Sequence, residues 1–197
     1  CETLTSVTIP NSVTKIGEYA FKDCKNLTGV TVPGSVTEIV STAFAGCQSL
    51  KDVTLGDGIS SLGSSVFSGC TSLESIALPD SVTELGNYVF SGCTSLESIV
   101  LPDSVEKMGS DVFSDCTSLE SIVLPDSIEK MGPSVFYNCT NLKSVTLPKG
   151  ITSIEGSTFR GCESLESFTI PDTVTSIGKD AFLGCSKAQI TDRKSVV

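Results

Sequence analysis

The chain has 197 residues, with 13 Lys and Arg against 23 Asp and Glu and no histidine; the net charge of −10 argues against nucleic acid or anionic lipid as a partner. Hydrophobic residues make up 39% and charged residues 18%, a folded composition in which no purely apolar stretch is long enough to span a membrane. Without histidine, the common acid–base and nucleophilic triads lack their base.

Nine cysteines, at 1, 24, 47, 70, 93, 116, 139, 162 and 185, are each 23 residues from the next. A period this strict, with no insertion from Cys1 to Cys185, predicts a solenoid of stacked short units rather than separate globular domains. Residues 93–115, CTSLESIVLPDSVEKMGSDVFSD, show one unit. Three residues after the cysteine comes leucine (Leu4, Leu27, Leu50 and onward to Leu165), then an alternating apolar pair such as Ile99/Leu101. Period-two alternation with interposed Ser and Thr predicts a short strand with one face in the core. Proline ends it at 10, 33, 79, 102, 125, 148 and 171, with Gly56 the one substitute, and Asp-Ser or Asn-Ser supplies the turn that follows.

A second apolar pair at spacing three, as in Val105/Met108, predicts a second extended segment ending in a glycine turn at 17, 63, 86, 109, 132 and 178. Val40 and Glu155 interrupt that glycine column. A small residue and a phenylalanine recur next, from Ala20-Phe21 to Ala181-Phe182, and the short run to the cysteine predicts one turn of α- or 3₁₀-helix with Phe inward. The fold class expected is a β-rich leucine-rich repeat solenoid, a right-handed superhelix of about eight repeats. Residues 1–187 form the array and 188–197 a polar capping strand and tail. Thr158 and Phe168 also depart from their columns, so local irregularity is expected in the repeat that holds them.

The 23-residue period, the L-x-x-[VI]-x-[IL]-P strand, the V-x-x-I-G segment and the A-F-x-x-C turn resemble the BspA-like, treponemal-type leucine-rich repeat family, over residues 1–187. That resemblance implies a scaffold from a cell-surface or secreted protein of host-associated bacteria or mucosal protozoa. It also implies adhesion to matrix proteins such as fibronectin and fibrinogen, or contact between bacteria. Cys1 opens in mid-repeat, which suggests a mature chain or an excised fragment.

The residues themselves speak against chemistry at the cysteines. Side chains on parallel rungs keep the strand spacing of roughly 4.8 Å, whereas a disulfide needs Cβ atoms near 3.8 Å. A straight column of thiols does not converge on a metal, and a catalytic thiol lacks a base. Buried, reduced and inaccessible thiols are expected, with no catalytic residue, metal or cofactor. Asp57, Asp80, Asp103, Asp126 and Asp172 form a column in the post-proline turn, read as turn-forming residues that bond their own backbone. Asn26-Leu-Thr28 and Asn138-Cys-Thr140 match the glycosylation sequon, a motif that often arises by chance.

What remains is surface. The outward strand positions read Ser75/Ala77, Ser98/Val100 and Ser121/Val123, where other repeats carry Thr8, Thr31, Thr54, Thr146 and Thr169. Val100 and Val123, with Ala77 beside them and Glu74, Glu97 and Glu120 along the border, form a candidate docking strip for a protein partner. The same residues also fit neutral copying of one repeat into the next, since a β-branched residue suits any strand. Two functions stay open: a non-catalytic binding module, or a structural spacer or weakly self-associating stalk. No basic residue lies between Lys51 and Lys107, while eight acids do, so the middle of the array is an acidic belt. Such a belt suits a basic protein surface, and equally a solvated face that keeps the solenoid soluble.

Overall fold

The structure, a computed structural model, describes residues 1 and 3–192. Among the described residues, seventeen short strands form two columns. The first holds β1 (Ser6–Thr8), β3 (Gly29–Val32), β5 (Asp52–Leu55), β7 (Ser75–Ala77), β9 (Ser98–Val100), β11 (Ser121–Val123), β13 (Ser144–Thr146), β15 (Ser167–Ile170) and β17 (Gln189–Asp192). The second holds β2 (Lys15–Ile16), β4 (Glu38–Ile39), β6 (Ser61–Leu62), β8 (Glu84–Leu85), β10 (Lys107–Met108), β12 (Lys130–Met131), β14 (Ser153–Ile154) and β16 (Ser176–Ile177). All pairing is parallel, and Val7 meets Val30 as Ile76 meets Ile99, one 23-residue unit apart.

Alternation puts the apolar set inside: Ile76, Leu78, Ile99, Leu101, Ile122 and Leu124 are buried, whereas Ser75 and Ala77 face out. Leu27 through Leu165 form a buried ladder, and Phe21 through Phe182 a continuous ring stack. Neighbouring ring centroids lie 5.1 to 5.8 Å apart along the stack.

The phenylalanine segment is a chain of turns, and among the described residues no helix forms, so none crosses a membrane. The reason lies in where the N–H groups point. Ala20, Lys22 and Cys24 donate to the carbonyl three residues back, but Phe21 and Asp23 donate to Ala43 and Ala45 of the next rung. Two left-handed residues per rung produce that alternation. One column is Tyr19, Thr42, Ser65, Tyr88, Asp111, Ser134, Ser157 and Asp180; the other holds Asp23, Gly46, Gly69, Gly92, Asp115, Asn138, Gly161 and Gly184. A helix would have kept every N–H within its own rung.

Glycine in the column 63, 86, 109, 132 and 178 answers a different need from the turn expected of it, since none of these has positive φ. A Cβ on Gly86 would sit 2.8 Å from Ser64 N and 2.9 Å from Gly63 C, so the residue is small because the neighbouring backbone passes against it. Gly17 has nothing within 4 Å of that position. The six-stranded ladder of this column runs from β2 to β12 and stops before β14, at the rung where Glu155 stands in the glycine column. Val40 keeps the column's bond, its N–H donating to Ile16 O.

The irregular repeat absorbs its departures locally. Thr158, fully buried, donates its hydroxyl to Glu155 O at 2.7 Å, and Ser153 donates to Glu155 Oε1 at 2.6 Å. Phe168 packs edge-on against Phe159 and Phe182, and the stacked pair Phe159–Phe182 opens to 16° where its neighbours lie within 8°. β17 then pairs with β15 at an offset of 22 rather than 23, Ser167 opposite Gln189, so one residue drops out after Cys185. Residues 193–197 of the expected tail lie outside the described residues.

The cysteines are free, and the seven from Cys24 to Cys162 are buried, but Cys1 is exposed and Cys185 half-buried, so inaccessibility does not extend to the ends. Their thiols form a ladder. Cys47 Sγ donates to Phe21 O at 3.1 Å and Cys93 to Phe67 O at 3.2 Å, and so on to Cys185 with Phe159 O at 3.0 Å. Each such carbonyl also accepts the N–H of its own rung's cysteine, as Phe21 O does from Cys24. Burial pushes the Cys47 thiol up to about 12, and those of Cys70, Cys93, Cys116 and Cys139 well above the ordinary value.

Two measurements check this packing. Gly86→Ala should cost about 1–3 kcal/mol in thermal or urea unfolding through forced backbone displacement, while Gly17→Ala should be neutral or slightly stabilising; equal effects would refute the close-approach account. A raised thiol pKa means that the native state keeps a proton the unfolded chain releases. The thiols' contribution to stability should therefore be level below pH 9 and fall as pH rises from there towards 12, each of these five thiols adding a slope of about 1.4 kcal/mol per pH unit. Cys93→Ala should flatten that slope by one thiol's share; an unchanged slope would disprove the coupling.

Candidate functional site

The outward face of the first strand column is built from rungs of the form Glu-Ser-Ile-x-Leu-Pro-Asp, repeated at 74–80, 97–103 and 120–126 with x being Ala77, Val100 and Val123. Isoleucine and leucine turn inward by alternation, which leaves serine and x outward. Ala77 sits opposite Val100 in the β7–β9 ladder, and Val123 lies opposite Thr146 in the β11–β13 ladder. Val100 is 80% exposed and Val123 67%, the two highest values for large hydrophobic residues among the described residues. The described structure thus brings Ala77, Val100 and Val123 into one line of successive rungs, with Thr146 and Thr169 continuing it.

Glu74, Glu97 and Glu120 occupy the residue before each strand and run as an exposed row along one border. Their column also contains Lys51 and Lys143, one rung beyond each end, and these close the row. Lys51 Nζ lies 3.7 Å from Glu74 and Lys143 Nζ 3.0 Å from Glu120. Among the described residues no ion pair engages Glu97, the middle member. Positions 51, 74, 97, 120 and 143 share one column, so the 23-residue count alone carries the signal for those pairs.

The opposite border is the post-proline turn, and here the turn reading needs correction. Ser81, Ser104 and Ser127 donate their hydroxyls at 2.7 Å to Ile59, Val82 and Val105 O of the preceding rung, not within their own turn. Asp126 likewise reaches across rungs, accepting from Lys149 N at 3.0 Å and Lys149 Nζ at 2.7 Å. Those hydrogen bonds hold its carboxyl below the usual carboxylate range. The turn closes instead through backbone bonds such as Val105 N to Pro102 O at 3.1 Å. Asp80, Asp103 and Asp126 form a second acidic row, on the far side of the strip from the glutamates.

Two depressions open on this face. One, of about 640 Å³, lies between the strands and the aspartate border and is lined by Val123, Thr146, Thr169, Asp103, Asp126 and Lys149 among others. The other, of about 540 Å³, lies on the glutamate side beside Glu97, Ser98, Glu120 and Ser121. The face can hold an elongated ligand by van der Waals contact and charge. Among the described residues no three His, Cys, Asp or Glu side chains come together as metal ligands would.

Comparison with known proteins bears on the whole array. The model of the BspA-type leucine-rich repeat region, in six copies, matches residues 1–116 and 60–189. A T. pallidum leucine-rich repeat protein is similar at 31% identity and a TM-score of 0.70, over 94% of this chain and 78% of that one. One from Bacteroides ovatus is 29% identical with a TM-score of 0.70, over 95% of this chain and 66% of that one. The pneumococcal vaccine antigen PcpA shares the fold at 22% identity and a TM-score of 0.58, over 95% of this chain and 62% of the other. The chain thus spans just under two thirds of the last two proteins. No curated protein sequence matches it.

Proposed function

The chain belongs to the BspA-type leucine-rich repeat family, and on that footing we propose that it is a non-catalytic protein-binding module of a cell-surface or secreted protein, docking its partner on the first-strand face. The observation that carries this reading is the exposure of Val100 and Val123 at the middle of a strand face whose other rungs carry threonine or, at 77, alanine. Nothing in the interior requires valine there, because these side chains point away from the core. A β-branched hydrocarbon left in water is unused apolar area, and covering it supports association. Rigidity adds to this: a stack bonded rung to rung presents its face already ordered, so little conformational entropy is lost on docking.

Family membership supports, as the partner class proposed, matrix or surface proteins of a host or a surface protein of another cell. Wild-type protein should bind immobilised fibrinogen or fibronectin, and the pair Val100→Lys and Val123→Lys should weaken binding by about tenfold or more with unaltered circular dichroism and melting. Binding that ignores both substitutions would refute this face as the site. A spacer, by contrast, would bind neither protein and would respond only to the number of repeats.

A further inference from the structure

The borders of the strip carry information about what lies on it. Between Lys51 and Lys107 the chain has no basic residue, and in the rungs at 74, 97 and 120 the uncharged strip has a carboxylate on each side. Resting on the docking reading above, we infer that the occupant is an amphipathic α-helix with an apolar stripe flanked by lysine or arginine, lying along the solenoid axis.

Charge sets the sign of the partner. Three of the six border carboxylates are joined to lysines of this chain, at Glu74, Glu120 and Asp126. Among the described residues no ion pair engages the other three, Asp80, Glu97 and Asp103. The bridges that do exist are exposed and exchange readily for an incoming cation. Like charges held one rung apart repel, and a basic partner relieves that repulsion along both rows at once.

Shape selects the helix over an extended segment. Glu97 and Asp103 are six residues apart, so the rows stand at most about 20 Å from each other. A helix with its side chains is roughly 10–12 Å wide, which leaves room for a basic arm on either flank. Its turns repeat every 5.4 Å or so, close to the rung step of roughly 4.8 Å, so two turns span the three rungs. An extended strand turns only alternate side chains downward, in a single row about 6.6 Å apart, and cannot meet an apolar centre and two acidic borders together.

The test uses three labelled synthetic peptides of equal composition, roughly five helical turns long. One places leucines in a stripe with lysines on both flanks, one alternates leucine and lysine as a strand would, and one is scrambled. Fluorescence anisotropy on the intact protein should show the helical peptide binding at least about tenfold more tightly than the other two, and more weakly as salt rises. Both Val100→Lys with Val123→Lys and Glu97→Gln with Asp103→Asn should remove most of that preference. Equal or tighter binding of the alternating peptide, still lost on the valine substitutions, would overturn the helix and leave the docking strip standing. Helical-peptide binding indifferent to the valine substitutions would overturn both. Failure of all three peptides, with valine-sensitive capture of a matrix protein intact, would overturn the helix alone.

Discussion

The backbone of each rung lies within hydrogen-bonding reach of the next, and most features of this chain are conditions for keeping it there. Strand residues pair at an offset of 23, serine hydroxyls reach 22 residues back and cysteine thiols 26. A buried N–H or carbonyl without a partner costs on the order of 1–3 kcal/mol. One inserted residue would misplace strand, turn and thiol partners together, which is why the 23-residue count holds from Cys1 to Cys185. The offset relaxes to 22 only at β17, beyond the last cysteine.

The same constraint explains the unusual backbone. Left-handed φ in residues other than glycine is disfavoured by about 1–2 kcal/mol, yet Thr42, Ser65, Tyr88 and Ser134 all adopt it. In that conformation their N–H groups meet Ser64, Asn87, Ser110 and Gly156 O of the next rung, and those bonds offset the strain. Glycine serves two needs, a close backbone approach in the column of Gly86 and left-handed φ at Gly46, Gly69, Gly92, Gly161 and Gly184. The phenylalanine rings stack rung on rung on one side, and parallel strand pairing joins the same rungs on the other.

Because the interior repeats, variation falls mainly on side chains that leave it, with Thr158 and Phe168 as buried departures. Val100 and Val123 replace threonine without disturbing a hydrogen bond or a core contact, and the acidic rows flank them on positions equally free to change. The lysines that close the glutamate row, Lys51 and Lys143, stand on the same column one rung beyond its ends. A face of this kind holds its information in the order of rungs, which a motif search within one repeat does not see.

Period, strand positions, inward leucine and phenylalanine, and the burial of the central cysteines were all legible in the amino-acid order, because each depends on side-chain polarity at a fixed spacing. So were the outward positions of Ala77, Val100 and Val123, by the same alternation, and the exposure of Glu74, Glu97 and Glu120, by their charge just ahead of each strand. What tertiary structure alone decided was the destination of each polar group. Turns stand where a helical turn was expected because the N–H groups of Phe21 and Asp23 bond the neighbouring rung, and Ser104 and Asp126 bond across rungs rather than within their own turn. The glycine column answers to a backbone passing from another repeat, and the thiols to a carbonyl 26 residues away. Spacing along one chain records which side chains face inward; it carries no record of the distance to the next rung, and that distance settles every hydrogen bond between rungs.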